Sequence, residues 1–189
     1  MFKFILVLIA AASLAGCATP ADVNAMIGTP TVQLAQNSPL KQSVQVNNVS
    51  GGQKTNPLWT SEVGNPEFQQ ALQQSLGIQG ITAGANAKYR LDAVLVELKQ
   101  PFIGFDLTVK STVRYTLMEA ATNRVVFDQT ITAEFTAGVG DAVLAVQRLK
   151  LANEGSIKSN ISKFMDQLFN AMVPAGMVQI RTLTFGRVG

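Results

Sequence analysis

The side chains able to do chemistry in this chain are few, and their spacing is informative. Asp92, Glu97 and Asp106 fall close together in sequence, and paired carboxylates are the usual general acid and base of hydrolytic sites. On a strand, successive side chains alternate between faces. Asp92 and Glu97 are therefore expected on opposite faces, and the three carboxylates are not expected to converge. There is no histidine and only one cysteine, Cys17. Ser/His/Asp and Cys/His nucleophilic arrangements, zinc sites of imidazole or several thiolates, and an intramolecular disulfide are thereby excluded. Carboxylate, lysine or tyrosine chemistry is all that remains. No catalytic residue, metal ligand or cofactor is assigned, and no enzyme activity is expected.

The one thiol has a distinctive context. A short basic start, Met1-Phe2-Lys3, precedes an almost wholly apolar run from Phe4 to Leu14, followed by Leu14-Ala15-Gly16-Cys17. An apolar run of this length between a positive residue and small residues is an export signal, too short to span a bilayer as a stable helix. Leu14, Ala15, Gly16 and Cys17 resemble the lipobox of bacterial lipoproteins, in which the cysteine receives diacylglycerol and becomes the mature N-terminus. The resemblance implies cleavage after residue 16, with covalent lipid on Cys17 as the only prosthetic group. Several acyl chains anchor stably where one binds marginally. In that family an aspartate after the cysteine retains the protein in the inner membrane. Here the residue is Ala18, which implies the periplasmic face of the outer membrane.

Four segments follow from the patterning. Residues 1–16 are the signal peptide. Residues 17–42, with Pro20, Pro30 and Pro39 among small and polar residues, read as the lipidated N-terminus and a flexible tether. Residues 43–173 form the folded domain, and 174–189 are either a last edge strand or a loose arm. With 189 residues and a hydrophobic fraction of 47%, one domain has ample material for a core. The formal charge of +3 comes from scattered basic residues, so nucleic acid is not an expected partner.

Within the domain, Ser43–Val49 reads as a short strand. Asn65-Pro66-Glu67 supplies an N-cap, a proline in the first turn and an acid near the helix start. Phe68, Ala71, Leu72, Ser75 and Leu76 share one face of that helix, and Gly77 and Gly80 mark its end. Tyr89–Leu98 is strand-like and apolar on both faces toward its end, as a covered interior strand would be. Phe105, Leu107, Val109, Val113, Tyr115 and Leu117 alternate with polar residues, and Val125, Phe127, Ile131 and Phe135 repeat the pattern. Matching the two apolar parities places Tyr115 opposite Phe127 and Arg114 opposite Asp128. Gly140-Asp141 is expected to cap a long helix in which Val143, Leu144 and Val146 continue to Met172, with a bend at Gly155. The order β-α-β-β-β-α predicts an α+β two-layer sandwich: a mainly antiparallel four-stranded sheet with two helices on one face.

A lipobox, a proline-bearing tether and this element order resemble small Gram-negative lipoproteins of the YajG type and the lipopolysaccharide-assembly lipoprotein that plugs its outer-membrane translocon. The resemblance implies a non-enzymatic envelope factor that works by binding an envelope protein. A binding module for a small ligand, lipid or glycan serving a transporter is the alternative, and a carboxylate enzyme the third reading. Interaction candidates are Trp59 and the apolar loop with Phe102, Ile103 and Phe105. Trp59 is either a recognition anchor or a packing residue ahead of the helix. The loop either meets a partner or membrane, or folds back under the helices.

Overall fold

The computed structural model describes residues 18–56, 61–84, 86–101 and 103–172. The lipobox, Trp59, Phe102 and the 174–189 tail lie outside these residues. The elements run β1 (Val44–Ser50), α1 (Asn65–Ile78), β2 (Tyr89–Lys99), β3 (Leu107–Glu119), β4 (Val125–Ala137) and α2 (Ala145–Ala171), with a short 3-10 turn at Asn24–Met26. The sheet order is β1-β2-β3-β4. β1 lies parallel to β2, because α1 carries the chain back to the starting end between them. β2, β3 and β4 meander antiparallel. Both helices pack on one face, so the protein is the expected α+β sandwich on a mixed sheet.

The hydrophobic core forms where the inward parities meet the helices. Tyr115 is fully buried and stacks on Phe164 with ring centroids 4.0 Å apart, and Phe127 meets Phe164 edge-on at 5.9 Å. Such aromatic pairs add about 0.5–1.5 kcal/mol beyond the area they bury. The Tyr115 hydroxyl donates to Asn160 Oδ1 at 3.0 Å. Burial holds the phenol pKa well above its ordinary value, so this donor stays protonated.

The two long strands pair two residues away from the expected register: Leu117 faces Phe127, Tyr115 faces Gln129 and Arg114 faces Thr130. A shift of two leaves every side chain on its face, so the apolar alternation is equally satisfied by both alignments. The turn decides. Asn123 takes a left-handed conformation (φ 56°), the Glu119 N–H donates to the Arg124 carbonyl, and a bulge falls between Leu117 and Met118. Val125 is consequently half exposed rather than inward, and Val126 is the residue that packs against the core.

Other boundaries also moved. Gly64 is the N-cap of α1, while the Asn65 carboxamide accepts from the Gly52 N–H at 2.7 Å. Asp141 accepts from the Gly138 N–H and does not cap α2, which starts only at Ala145. Val143 is 85% exposed. Gly155 does not end or interrupt α2. Its missing side chain makes room for the Phe135 ring, which a Cβ there would strike. Phe135 thereby covers the helix with 43% of its surface still exposed.

The segment read as a flexible tether is packed. From Ala18 to Val32 the chain forms a strap along α2, with Ala18, Ala21 and Met26 buried. The Asp22 N–H donates to Glu154 Oε1, the Thr29 N–H to Ser162 Oγ, and the Thr31 and Val32 N–H groups to Asp166 Oδ1. Helix and strap thus run in the same direction over roughly 18 Å at 1.5 Å per helical residue. The prolines and small residues that suggest a linker are here compatible with an extended segment whose backbone donors are satisfied by side chains.

Candidate interaction site

The start of the strap, the end of β2 and the first turns of α2 meet at Ser61. The Ser61 carbonyl accepts from Gln100 Nε2 at 3.0 Å and from Asn153 Nδ2 at 2.7 Å, and its hydroxyl donates to the Thr19 carbonyl at 2.9 Å. Ser61 and Asn153 are fully buried, so these bonds supply partners to groups that water no longer reaches. Lys150 Nζ donates to Thr19 Oγ1 at 3.1 Å and lies 3.7 Å from Glu154 Oε1. Glu154 is 4% exposed. Burial raises its pKa, with the Asp22 N–H and Lys150 pulling in the opposite direction. Glu62 behaves alike: burial raises its pKa and the Gln100 hydrogen bond lowers it in part. The Glu154 carboxylate takes the strap's Asp22 N–H, and the Glu62 backbone carbonyl takes that of Ala21.

Besides the β1–α1 connection that carries Ser61, the β2–β3 and β4–α2 loops leave this end of the molecule, since the start of β3 and the end of β4 are paired there, Leu107 against Ala137. The β2–β3 loop carries Ile103, 93% exposed, and Phe105, 82% exposed. The expectation that this loop folds back under the helices fails for both, and Phe105 is not part of the inward face of β3. Arg148 Nη1 donates to the carbonyls of Ala142 and Val143 at 2.8 and 2.7 Å. It thereby fixes the second loop, which presents Val139 and Val143 to solvent. Between the loops an open groove is lined by Pro101, Ile103, Leu107, Ala145, Val146 and Leu149.

The three carboxylates do not converge. A bulge between Leu95 and Glu97 resets the alternation of β2, so Asp92 and Glu97 share the outer face, contrary to the expectation from simple parity. They sit opposite Thr116 and Thr112, roughly 13 Å apart along the sheet. Asp92 Oδ1 accepts from Asn47 Nδ2 at 2.7 Å. Asp106 lies on the β2–β3 loop, away from both. Among the described residues no cluster of three or more metal-ligating side chains occurs, and no helix is long and apolar enough to cross a membrane.

Among the described residues none covers the outer face of the sheet. Arg114 reaches diagonally to Asp128 in a two-bond fork of 2.9 and 2.6 Å. The hydrogen bond from Arg114 is the largest influence holding the Asp128 carboxyl below its ordinary pKa. Threonines pair across the strands at 108/136 and 112/132. Val94 and Val96, expected to be covered, are exposed beside them. The strap, the buried Asn153 and Glu154, and the Val139–Val143 loop were absent from the sequence reading. The only sequence signal for them was polar residues recurring on the inward stripe of α2, which implies a second element lying over that helix.

No known protein family matches the sequence, and no curated protein does. Among solved structures the chain is similar to a Xanthomonas campestris protein of the DUF330 family, with 13% identity over 76% of this chain and 94% of that one and a TM-score of 0.49. It is also similar to a putative lipoprotein of Caulobacter crescentus (14% identity, 68% and 89% covered, TM-score 0.48). A third is a minor lipoprotein of Acinetobacter baumannii (12% identity, 65% and 92% covered, TM-score 0.42). At these scores the likeness carries no functional argument.

Proposed function

We propose that this protein is a lipid-anchored envelope lipoprotein that acts without catalysis, as an accessory or assembly factor binding another envelope protein. Leu14-Ala15-Gly16-Cys17 supports the anchor, and Ala18 in place of aspartate supports the periplasmic face of the outer membrane. The YajG and lipopolysaccharide-assembly type is the reading that element order favours. The observation that carries the binding role is the outer sheet face, which no described residue covers. Both helices lie on the opposite side, and Val94 and Val96 stand exposed beside the threonine rows and the Arg114–Asp128 pair. Val94 and Val96 give this polar face an apolar centre, the arrangement of an interface with an apolar core and a polar rim.

Affinity purification of the lipidated protein from detergent-solubilised envelopes tests this. A stoichiometric envelope protein is expected, and it should be lost on Val94→Asp with Val96→Asp while the thermal midpoint stays unchanged. A monodisperse monomer without a partner, or a partner indifferent to these changes, would overturn the proposal. A copurifying lipid or sugar in place of a protein would favour the small-ligand reading.

A further inference from the structure

We propose that the end of the domain bearing the β2–β3 and β4–α2 loops is seated in the phospholipid surface that holds the Cys17 lipid, with Ile103, Phe105 and Val143 entering the interface. The proposal rests on the lipoprotein reading and adds an orientation to it. Its basis is the absence of slack. Ala18 is 6% exposed, Thr19 is bonded to Ser61 and Lys150, and Ala21 donates its N–H to the Glu62 carbonyl. Consecutive Cα atoms are about 3.8 Å apart. Acyl chains on Cys17 must therefore enter the bilayer within about a side-chain length of Ala18, and the bilayer surface must pass close to Thr19.

What else lies at that surface follows from the joint at Ser61. Gln100 bonds the same serine carbonyl that neighbours Thr19, and Ile103 is three residues further on, within roughly 10 Å. Val143 is held to the start of α2 by Arg148, and Lys150 on the same helix reaches Thr19. Ile103, Val143 and Phe105, at 93%, 85% and 82%, are the most exposed large apolar side chains among the described residues. All three occur at the end where the lipid must emerge. None is near the β3–β4 turn at the far end, roughly 43 Å away along the thirteen residues of β3. Asp106 and Asp141 in the same loops, with Lys99 at the end of β2 and Lys54 in the groove beside Pro20, fit a shallow position at the headgroup level, where apolar side chains dip into the acyl boundary and charged groups stay wet.

The test uses the mature lipidated protein in vesicles of phosphatidylethanolamine and phosphatidylglycerol. Acylation blocks the only native thiol, so a single introduced cysteine takes an environment-sensitive dye. Dyes at Ile103→Cys and Val143→Cys should be blue-shifted and quenched by brominated lipid, and a dye at Thr122→Cys in the distal turn should remain in water. Dyes at the first two positions as wet as the third would overturn the proposal. The acyl mass on Cys17, read on the same preparation, separates this from failure of the anchor. If that mass is missing, the lipoprotein reading falls and the unlipidated chain decides the docking. It should cosediment with the same vesicles, and Ile103→Ser with Phe105→Ser should weaken this by about tenfold or more at unchanged thermal midpoint. Sedimentation indifferent to those changes overturns the proposal in that case.

Discussion

The carboxylate of Asp166 receives three hydrogen bonds from the strap, from the Thr31 N–H at 2.7 Å, the Thr31 hydroxyl at 2.9 Å and the Val32 N–H at 2.8 Å. One side chain on the last helix therefore holds a segment from the beginning of the chain. Asp166→Ala should cost about 1–3 kcal/mol, since hydrogen bonds to a charged group are worth more than neutral ones but these are partly exposed. Amide exchange should accelerate at Thr31 and Val32 and leave β3 untouched. Unchanged protection at both amides would show that the strap is held by its buried apolar residues alone.

Gly155→Ala sets helix propensity against packing. Alanine favours an exposed helix interior by about 1 kcal/mol over glycine, but here its Cβ would run into the Phe135 ring. Overpacking costs about 1–3 kcal/mol, so net destabilisation is expected in urea titrations. Phe135→Ala in the same chain should remove the clash, making the double variant more stable than the sum of the two single changes. Strict additivity would contradict the close approach.

The pH dependence of stability should carry the signature of Glu154. Its folded pKa is raised above the ordinary 4.5 by burial, so the folded state holds this proton more tightly than the unfolded chain. The stabilising contribution is fully present below the unfolded pKa and is lost as pH rises through the raised folded value. Glu154→Gln keeps an acceptor for the Asp22 N–H and removes the charge. The stability of the wild type relative to this variant should therefore improve on acidification from neutrality to about pH 4.5 and flatten below. Urea midpoints measured across that range check the sign, and a difference that is constant or falls would refute it.

Cys17→Ser should abolish incorporation of labelled palmitate. Retained label in the membrane fraction would sink the lipobox assignment. Ala18→Asp should move the protein toward the inner membrane under the family rule, and because Ala18 is 6% exposed it should also lower the thermal midpoint by placing a charge where the strap packs. Fractionation and melting read the two effects separately.

Alternation made the long hairpin legible. From Leu107 to Leu117 and from Phe127 to Ile131 the in-out pattern assigns strands and faces, and the face assignment survives the change of register. Bulges escaped notice, because a single extra residue such as Val96 or Val126 leaves no local mark yet moves Glu97 to the face of Asp92 and turns Val125 outward. The strap escaped for another reason. Its donors to the helix are, apart from the Thr31 hydroxyl, backbone N–H groups, which nearly every residue has, and its acceptors are Glu154, Ser162 and Asp166 on a helix 132 to 135 positions away. No local window contains both halves. Of the candidate site, Ile103 and Phe105 could be found as apolar residues in a turn, but Val143 was absorbed into a helix that in fact starts later.

On the lipoprotein reading the strap also imposes an order on maturation. An exported chain crosses the membrane N-terminus first, so residues 17–32 emerge long before α2, the element against which they finally lie. Until residues 154–166 have followed, the strap lacks the Glu154, Ser162 and Asp166 acceptors that hold its backbone. On that reading, acyl transfer and signal cleavage can therefore act on a chain whose strap is still unseated, and the strap docks only once α2 has arrived.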